Sequence, residues 1–123
     1  MTDAASSVDF KGLFASIDAM DTERFLSFIH EDASFRFGSS PAVRGHAAIR
    51  KAVEGFFASF AALRHDVLRT VCADGAVVCE GEVAYTRHDG SKITLPFANV
   101  YEVDGGLISL YRVYIDITPL YAA

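Results

Sequence analysis

The sequence predicts an α+β fold in which helices come first and an antiparallel sheet follows. Helical periodicity of apolar residues dominates as far as Phe60, and from Arg64 onward the apolar residues alternate as they do in strands. The second region is divided by Asp74-Gly75, Asp89-Gly90 and Asp104-Gly105-Gly106, each of which is a strong hairpin signal. Helices followed by such a meander are typical of α+β domains whose helices gather on one face of the sheet.

Three N-terminal helices are predicted. The first has Ser7 as its N-cap, the second begins at Asp21 and ends near His30, and a short strand at 33–37 follows. The third begins after Gly45 and has the clearest amphipathic pattern. Its apolar stripe, which must be buried, consists of Ile49, Ala52, Val53, Phe56, Phe57 and Phe60.

Length and composition indicate one domain, with residues 1–6 as a flexible tail and residues 7–123 as the folded part. A net charge of −5 without clustered Lys or Arg argues against nucleic-acid binding. No apolar run approaches the roughly 20 residues that span a bilayer, and residues 1–7 do not resemble a secretion signal. The sequence therefore predicts a cytoplasmic protein with no membrane partner. Two cysteines without neighbouring ligands predict no metal site.

The turn residues predict which side chains share a face of the sheet. We treat Asp74-Gly75 and Asp89-Gly90 as two-residue turns and residues 104–106 as a three-residue loop. On this register, one face carries His65, Val67, Arg69, Val71, Val78, Glu80, Glu82, Leu95, Phe97, Asn99, Tyr101, Tyr111, Val113 and Ile115.

Apolar residues with a polar minority on one face are typical of a ligand-binding wall. The chain also has ten Phe and five Tyr, which favours an aromatic core, an apolar pocket or a subunit interface. Two alternatives stay open: this is the solvent face, or Arg69 and Glu80 only pair across neighbouring strands. Pro96, in a central strand, indicates a bulge that would reverse the faces beyond it.

Three segments resemble the nuclear transport factor 2-like superfamily, and its SnoaL-like branch fits best. They are the strand pattern at 31–37, the helix start Gly45-His46-Ala47-Ala48-Ile49, and the final strand at 111–116. The resemblance implies a cone-shaped α+β barrel in which a strongly curved sheet wraps around the three helices and leaves a pocket at its wide end. It also implies a homodimer through the outer face of the sheet.

Enzymes of this superfamily include ketosteroid isomerases, limonene epoxide hydrolases and polyketide cyclases. Where the isomerases have their two working aspartates, this chain has Phe37 and Asn99. Where the epoxide hydrolases have Asp, Arg and Asp, it has Glu82, Glu80 and Val113. Neither set is complete, and epoxide hydrolysis is therefore not expected.

The remaining polar residues suggest cofactor-free proton transfer on a small, apolar, carbonyl-bearing molecule, as in an isomerase or a cyclase. Glu82 is the predicted base, His65 relays the proton, and Asn99 with Tyr111 donates hydrogen bonds to the oxyanion. The alternative is a non-catalytic ligand-binding or dimerisation module. The predicted ligand-binding residues are Phe35, Phe37, Phe57, Arg69, Glu80, Phe97, Tyr101, Tyr111 and Val113.

Overall fold

A computed structural model describes residues 8–122 of the chain. As predicted, the helices lie against one face of a sheet. No helix in this range is both long and apolar enough to cross a membrane. The elements are α1 (Phe10–Asp18), α2 (Thr22–Leu26), β1 (Ile29–Phe37), β2 (Val43–Arg44), α3 (His46–Phe57), β3 (Ala62–Ala73), β4 (Ala76–Thr86), β5 (Lys92–Asp104), β6 (Leu107–Tyr114) and α4 (Thr118–Tyr121).

The first two helices begin at acidic caps. Asp9 caps α1 by accepting a hydrogen bond of 3.0 Å from a backbone N–H of the first turn. The predicted cap Ser7 and the predicted tail 1–6 lie outside the described residues. Asp21 caps α2, as predicted. That helix is shorter than predicted, since it ends at Leu26 and the chain enters β1 at Ile29.

Within the described residues, the sheet has six strands in the order β2-β1-β6-β5-β4-β3. The predicted antiparallel meander is formed by β3 to β6, and β1 adds to it parallel to β6. The sheet is therefore mixed, and it curls around the helices without closing into a barrel, with β2 and β3 as its edges. The concave side holds the apolar core.

The turn between β4 and β5 differs from its prediction as a two-residue Asp89-Gly90 turn. Arg87 N donates to Ser91 O over 2.8 Å, so the turn contains the three residues 88–90. Because side chains alternate along a strand, one additional residue reverses the faces of β4 relative to β5. Glu82, which was predicted to point inward, therefore points outward.

The turn between β3 and β4, Asp74-Gly75, has two residues as predicted, both with positive φ (52° and 76°). Arg69 opposes Glu80, also as predicted. A bulge between Val67 and Arg69 then adds one residue to β3, an edge strand, where bulges concentrate. The bulge turns His65 and Val67 inward, whereas Arg69 and Glu80 lie on the outer face.

The turn between β5 and β6 contains two residues, Gly105-Gly106, rather than the predicted three. A register shift at Ser109 follows in β6. The shorter turn and the register shift together change the pairing by two residues, so the same residues of β5 and β6 share a face as predicted. Asn99 therefore points inward, as predicted. It opposes Val113 instead of Tyr111.

Pro96 does not cause the bulge that the sequence suggested. It opposes Glu82 in an uninterrupted β4–β5 register. Pairing between β5 and β6 begins only at Ala98. Since no β6 residue pairs with Pro96, its missing N–H removes no hydrogen bond on that side of the strand.

Candidate functional site

A small cavity of about 50 Å³ lies between the helices and the concave face of the sheet. An engineered protein cavity that binds benzene measures about 150 Å³, so this space is small. Its wall is apolar except for a few side chains, notably His65 and Asn99. The predicted ligand-binding residues that line it are Phe35, Phe37, Phe57, Phe97, Tyr111 and Val113.

His65 and Asp18 form a hydrogen-bonded dyad at one side of this cavity. Nδ1 of His65 lies 2.6 Å from Oδ1 of Asp18, and the backbone N–H of His65 is 3.1 Å from both carboxylate oxygens. The imidazole is 10% exposed and the carboxylate 27%. With Nδ1–H held by the carboxylate, Nε2 is the nitrogen that is free to accept a proton. Within residues 8–122, Nε2 makes no hydrogen bond.

Two aromatic rings hold the imidazole in place. The ring of Phe97 lies edge-on to that of His65, with centroids 5.2 Å apart and an interplanar angle of 87°. The Phe14 ring, from α1, lies 5.0 Å away on a tilted plane. These contacts and the Asp18 hydrogen bond restrict the rotation of the ring, as a positioned acid or base requires.

Asn99 supplies an unsatisfied acceptor. The residue is 2% exposed, and its Nδ2 donates to the hydroxyl of Tyr101 over 2.9 Å. Oδ1 is buried and has no hydrogen-bond partner among the described residues. Leaving such a group unpaired costs about 1–3 kcal/mol, and buried acceptors are usually satisfied. Because Asn99 lines the cavity, a ligand with a hydrogen-bond donor would satisfy it.

Tyr101, the hydrogen-bond partner of Asn99, packs against a second tyrosine. The rings of Tyr101 and Tyr111 pack edge to face with centroids 4.7 Å apart. Burial raises the pKa of both hydroxyls, so both stay protonated near neutrality and keep a proton to donate. Tyr111 lines the cavity. Tyr101, which was also predicted to line it, is instead packed behind Asn99 with none of its surface exposed.

The acidic residues that were predicted to face the cavity are on the opposite side of the sheet. Glu82 is exposed on the outer face. Glu80 is also on that face, where its Oε1 lies 2.8 Å from Nε of Arg69. The predicted inward placement of Glu82, Glu80 and Arg69 is therefore wrong, because the additional residue in the β4–β5 turn reverses the faces of β4 and Arg69 pairs with Glu80. An exposed ion pair of this kind adds little stability, and it does not block the cavity.

Sequence reasoning missed Asp18. It is the last residue of α1, where the helix dipole disfavours a carboxylate. An acid in that position, directly after the buried Ile17, could have indicated a tertiary partner. The partner is 47 residues away, so no local pattern identifies it.

The other histidines have structural contacts. Nε2 of His46 lies 2.7 Å from Ile29 O, and Nε2 of His88 lies 2.9 Å from Ala58 O. Nδ1 of His30 accepts from a backbone N–H two residues away. Over residues 8–122, no three His, Cys, Asp or Glu side chains are grouped as metal ligands.

A larger groove of about 520 Å³ adjoins the cavity. It lies between β1, α3 and the C-terminal segment. Four side chains line both the groove and the cavity and so form the wall between them: Phe35, Phe37, Val53 and Phe56. The rings of Phe37 and Phe56 are 4.6 Å apart. The remaining residues of the groove are Ser40, Pro41, Val43, Ala52, Ile117 and Tyr121.

Arg87 holds the C-terminal segment beside this groove. Its Nε donates to Leu120 O over 2.9 Å and its Nη2 donates to Pro119 O over 2.8 Å. A further hydrogen bond of 2.9 Å joins the hydroxyls of Ser59 and Tyr121. The side of the groove formed by Ile117 and Tyr121 thus depends on a few polar contacts.

Arg87→Lys is expected to loosen this segment, since a lysine cannot reproduce the forked pair of hydrogen bonds. Hydrogen bonds from a charged donor contribute enough stability that their loss should accelerate amide exchange near Leu120 by about tenfold. Hydrogen–deuterium exchange measured by mass spectrometry tests this. Arg36→Lys is the control, because Arg36 donates a single bond within the described part of the chain, to Ser40 O. Equal exchange in the parent and in Arg87→Lys would contradict the role of Arg87.

A curled sheet that encloses helices and a mostly apolar cavity defines the class of cone-shaped, nuclear transport factor 2-like α+β proteins. Within that class, the chain belongs to the SnoaL-like domain family, whose model matches residues 10–111. The expectation from the sequence is confirmed for both the fold and the family.

Solved structures with the same fold are distant in sequence. The structure of TerC co-crystallised with polyporic acid matches with a TM-score of 0.82 and 18% identity over 98% of this chain and 96% of that one. A protein of unknown function from Burkholderia pseudomallei K96243 matches with a TM-score of 0.84 and 14% identity, over 98% of this chain and 95% of that one. A candidate polyketide cyclase from Xanthomonas campestris pv. campestris matches with a TM-score of 0.78 and 19% identity, over 96% of this chain and 93% of that one. Comparison with curated proteins finds no match. At these identities the structural likeness shows the fold alone.

Proposed function

We propose that this SnoaL-like domain binds a small, largely apolar, carbonyl-bearing molecule and transfers a proton on it without a cofactor. The observation that carries the proposal is the His65–Asp18 hydrogen bond of 2.6 Å beside the cavity. A carboxylate that orients an imidazole is a recurrent arrangement for general acid–base catalysis. Glu82 has no part in it, because its side chain is on the outer face.

In this mechanism, Asp18 keeps the proton of His65 on Nδ1, and Nε2 removes a proton from the carbon next to the carbonyl group. The carboxylate then stabilises the imidazolium that forms. Charge develops on the carbonyl oxygen at the same time, and the protonated hydroxyl of Tyr111 is the donor on the cavity wall that can stabilise it. Asn99 Oδ1 accepts from a hydroxyl of the bound molecule.

The family supports a small-molecule role. It is related to polyketide cyclases, and one structural neighbour was crystallised with polyporic acid. These facts concern other proteins. For this chain, they make ligand binding inside the cone the first property to test.

Exchange of solvent deuterium into cyclic enones and β-keto compounds, followed by proton NMR, tests the catalytic proposal. His65→Gln is expected to slow the exchange by at least about tenfold, because it removes the base. Glu82→Gln and His88→Gln are matched controls and should exchange at the parent rate. Thermal unfolding of each variant checks that it is folded. Parent-like exchange in a folded His65→Gln variant would refute the role of His65.

The second candidate is a non-catalytic ligand-binding or dimerisation module. The small volume of the cavity, about 50 Å³, favours it over catalysis on a bulky substrate. If compounds of the enone and β-keto panel bind but none exchanges deuterium, this second candidate is the correct one. The homodimer through the outer sheet face and the cytoplasmic location stay predictions.

A further inference from the structure

We propose that the cavity and the groove form one elongated binding site, which takes a ring with a hydroxyl group at the cavity end and an unbranched apolar tail in the groove. This inference rests on the proposed function for the location of the site and adds the class of ligand. It comes from four observations: the small cavity, the shared wall, the difference in polarity between the two ends, and the unpaired Asn99 Oδ1.

The first step concerns size. A cavity of about 50 Å³ is too small for a benzene-sized ring unless side chains move. Of the four residues in the shared wall, Phe35 and Val53 are buried in the core, whereas Phe37 and Phe56 are only partly buried. Rotation of these two rings would join the cavity to the groove of about 520 Å³. For a ligand bound in the cavity, the groove is thus an extension of the site.

The second step concerns polarity. At the cavity end, His65 and Asn99 offer polar atoms. The groove is lined almost entirely by apolar side chains, with Ser40 and Tyr121 as its polar members. A molecule with one polar and one apolar end therefore has a single favourable orientation, with its polar group inward.

The third step concerns the kind of polar group. Oδ1 of Asn99 can only accept, and it has no partner among the described residues. A hydroxyl on the ligand satisfies it, whereas the corresponding methyl ether leaves it unpaired. Sites with buried polar atoms reject analogues that lack the matching group.

Isothermal titration with a series of 4-alkylphenols, from phenol to 4-octylphenol, tests the inference. Each additional methylene that enters the groove is expected to lower Kd by about fourfold, until the groove is filled. The methyl ether 4-butylanisole is expected to bind at least about tenfold more weakly than 4-butylphenol. The comparison of these two ligands needs no mutation at the buried Asn99.

A substitution in the groove separates the two halves of the site. Ala52, which the sequence predicted to be buried, is instead an exposed residue of α3 and lines the groove. Ala52→Trp should obstruct the groove, leave the Kd of phenol unchanged and weaken the dependence on tail length. Ala47→Trp is the matched control, because Ala47 is an exposed residue of the same helix that lines neither space. This control should retain the dependence of the parent.

Three outcomes would overturn the inference: no binding of any alkylphenol up to its solubility limit, a Kd independent of tail length, or an Ala52→Trp variant that keeps the tail-length dependence of the parent. Equal affinity for the phenol and its methyl ether would overturn the role of Asn99. These results do not depend on turnover. A protein that binds the series but catalyses no proton exchange would contradict only the catalytic proposal.

Discussion

Gly81→Ala is expected to destabilise the protein by about 3 kcal/mol or more and to remove His65 from the cavity wall. A Cβ atom at Gly81 would lie 2.0 Å from Asp66 O and 3.0 Å from Val67 Cα. Both are backbone atoms of β3 beside the bulge, so no flexible side chain can move to relieve the contact. The strand must shift, and the bulge that turns His65 inward shifts with it.

Gly55→Ala is the matched control. Gly55 is exposed within α3, and an added Cβ would meet no atom of residues 8–122 within 4 Å. Alanine favours helix more than glycine does, so this variant should be stabilised by about 1 kcal/mol. Urea unfolding followed by circular dichroism measures both changes. A Gly81→Ala variant with the urea midpoint of the parent would show that β3 accommodates the methyl group.

The stability of the protein is expected to fall steeply above about pH 10. Burial raises the pKa of Tyr85, Tyr101 and Tyr111 above the ordinary value of 10.0. Below pH 10 these hydroxyls are protonated in both states. Above it, the unfolded chain loses protons that the folded chain retains, so the free energy of unfolding falls by about 1.4 kcal/mol for each tyrosine between pH 9 and pH 11, or about 4 kcal/mol for the three.

Urea unfolding between pH 9 and pH 11 measures this dependence. Tyr85→Phe should reduce the slope by about one third, since it removes one of the three buried hydroxyls. Tyr114→Phe, which removes a hydroxyl from an exposed ring, should leave the slope unchanged. Burial also raises the pKa of the Cys79 thiol, which acts in the same direction in the parent and in both variants. Constant stability up to pH 11 would contradict the buried state of the tyrosine cluster.

Local patterns were sufficient for most of the fold. The stripe of α3 and the three glycine turns predicted the helix and the antiparallel meander, because apolar periodicity and turn chemistry depend on neighbouring residues. The inward direction of Asn99 was also predicted, although its opposite residue was not. The parallel addition of β1 to β6 was missed, since it joins segments that are distant in the sequence.

The candidate site was only half predictable. His65 and Asn99 were identified as inward-facing polar residues, and both line the cavity. Glu82 was placed on the wrong face, because a dipeptide such as Asp89-Gly90 does not reveal whether its turn contains two residues or three. Asp18 was not considered, because its role depends on an imidazole that only the folded chain brings to it.

By itself, the sequence determined the α+β class, the hairpin meander, the family and the aromatic character of the interior. The tertiary structure decided which carboxylate meets the histidine and which acids face water. The reason is the two-residue period of a strand: one additional residue in a turn or a bulge reverses every side chain beyond it. The absence of a side chain at Gly81 permits the backbone of β3 to approach β4 closely at the bulge, and that contact exists only where the two strands meet.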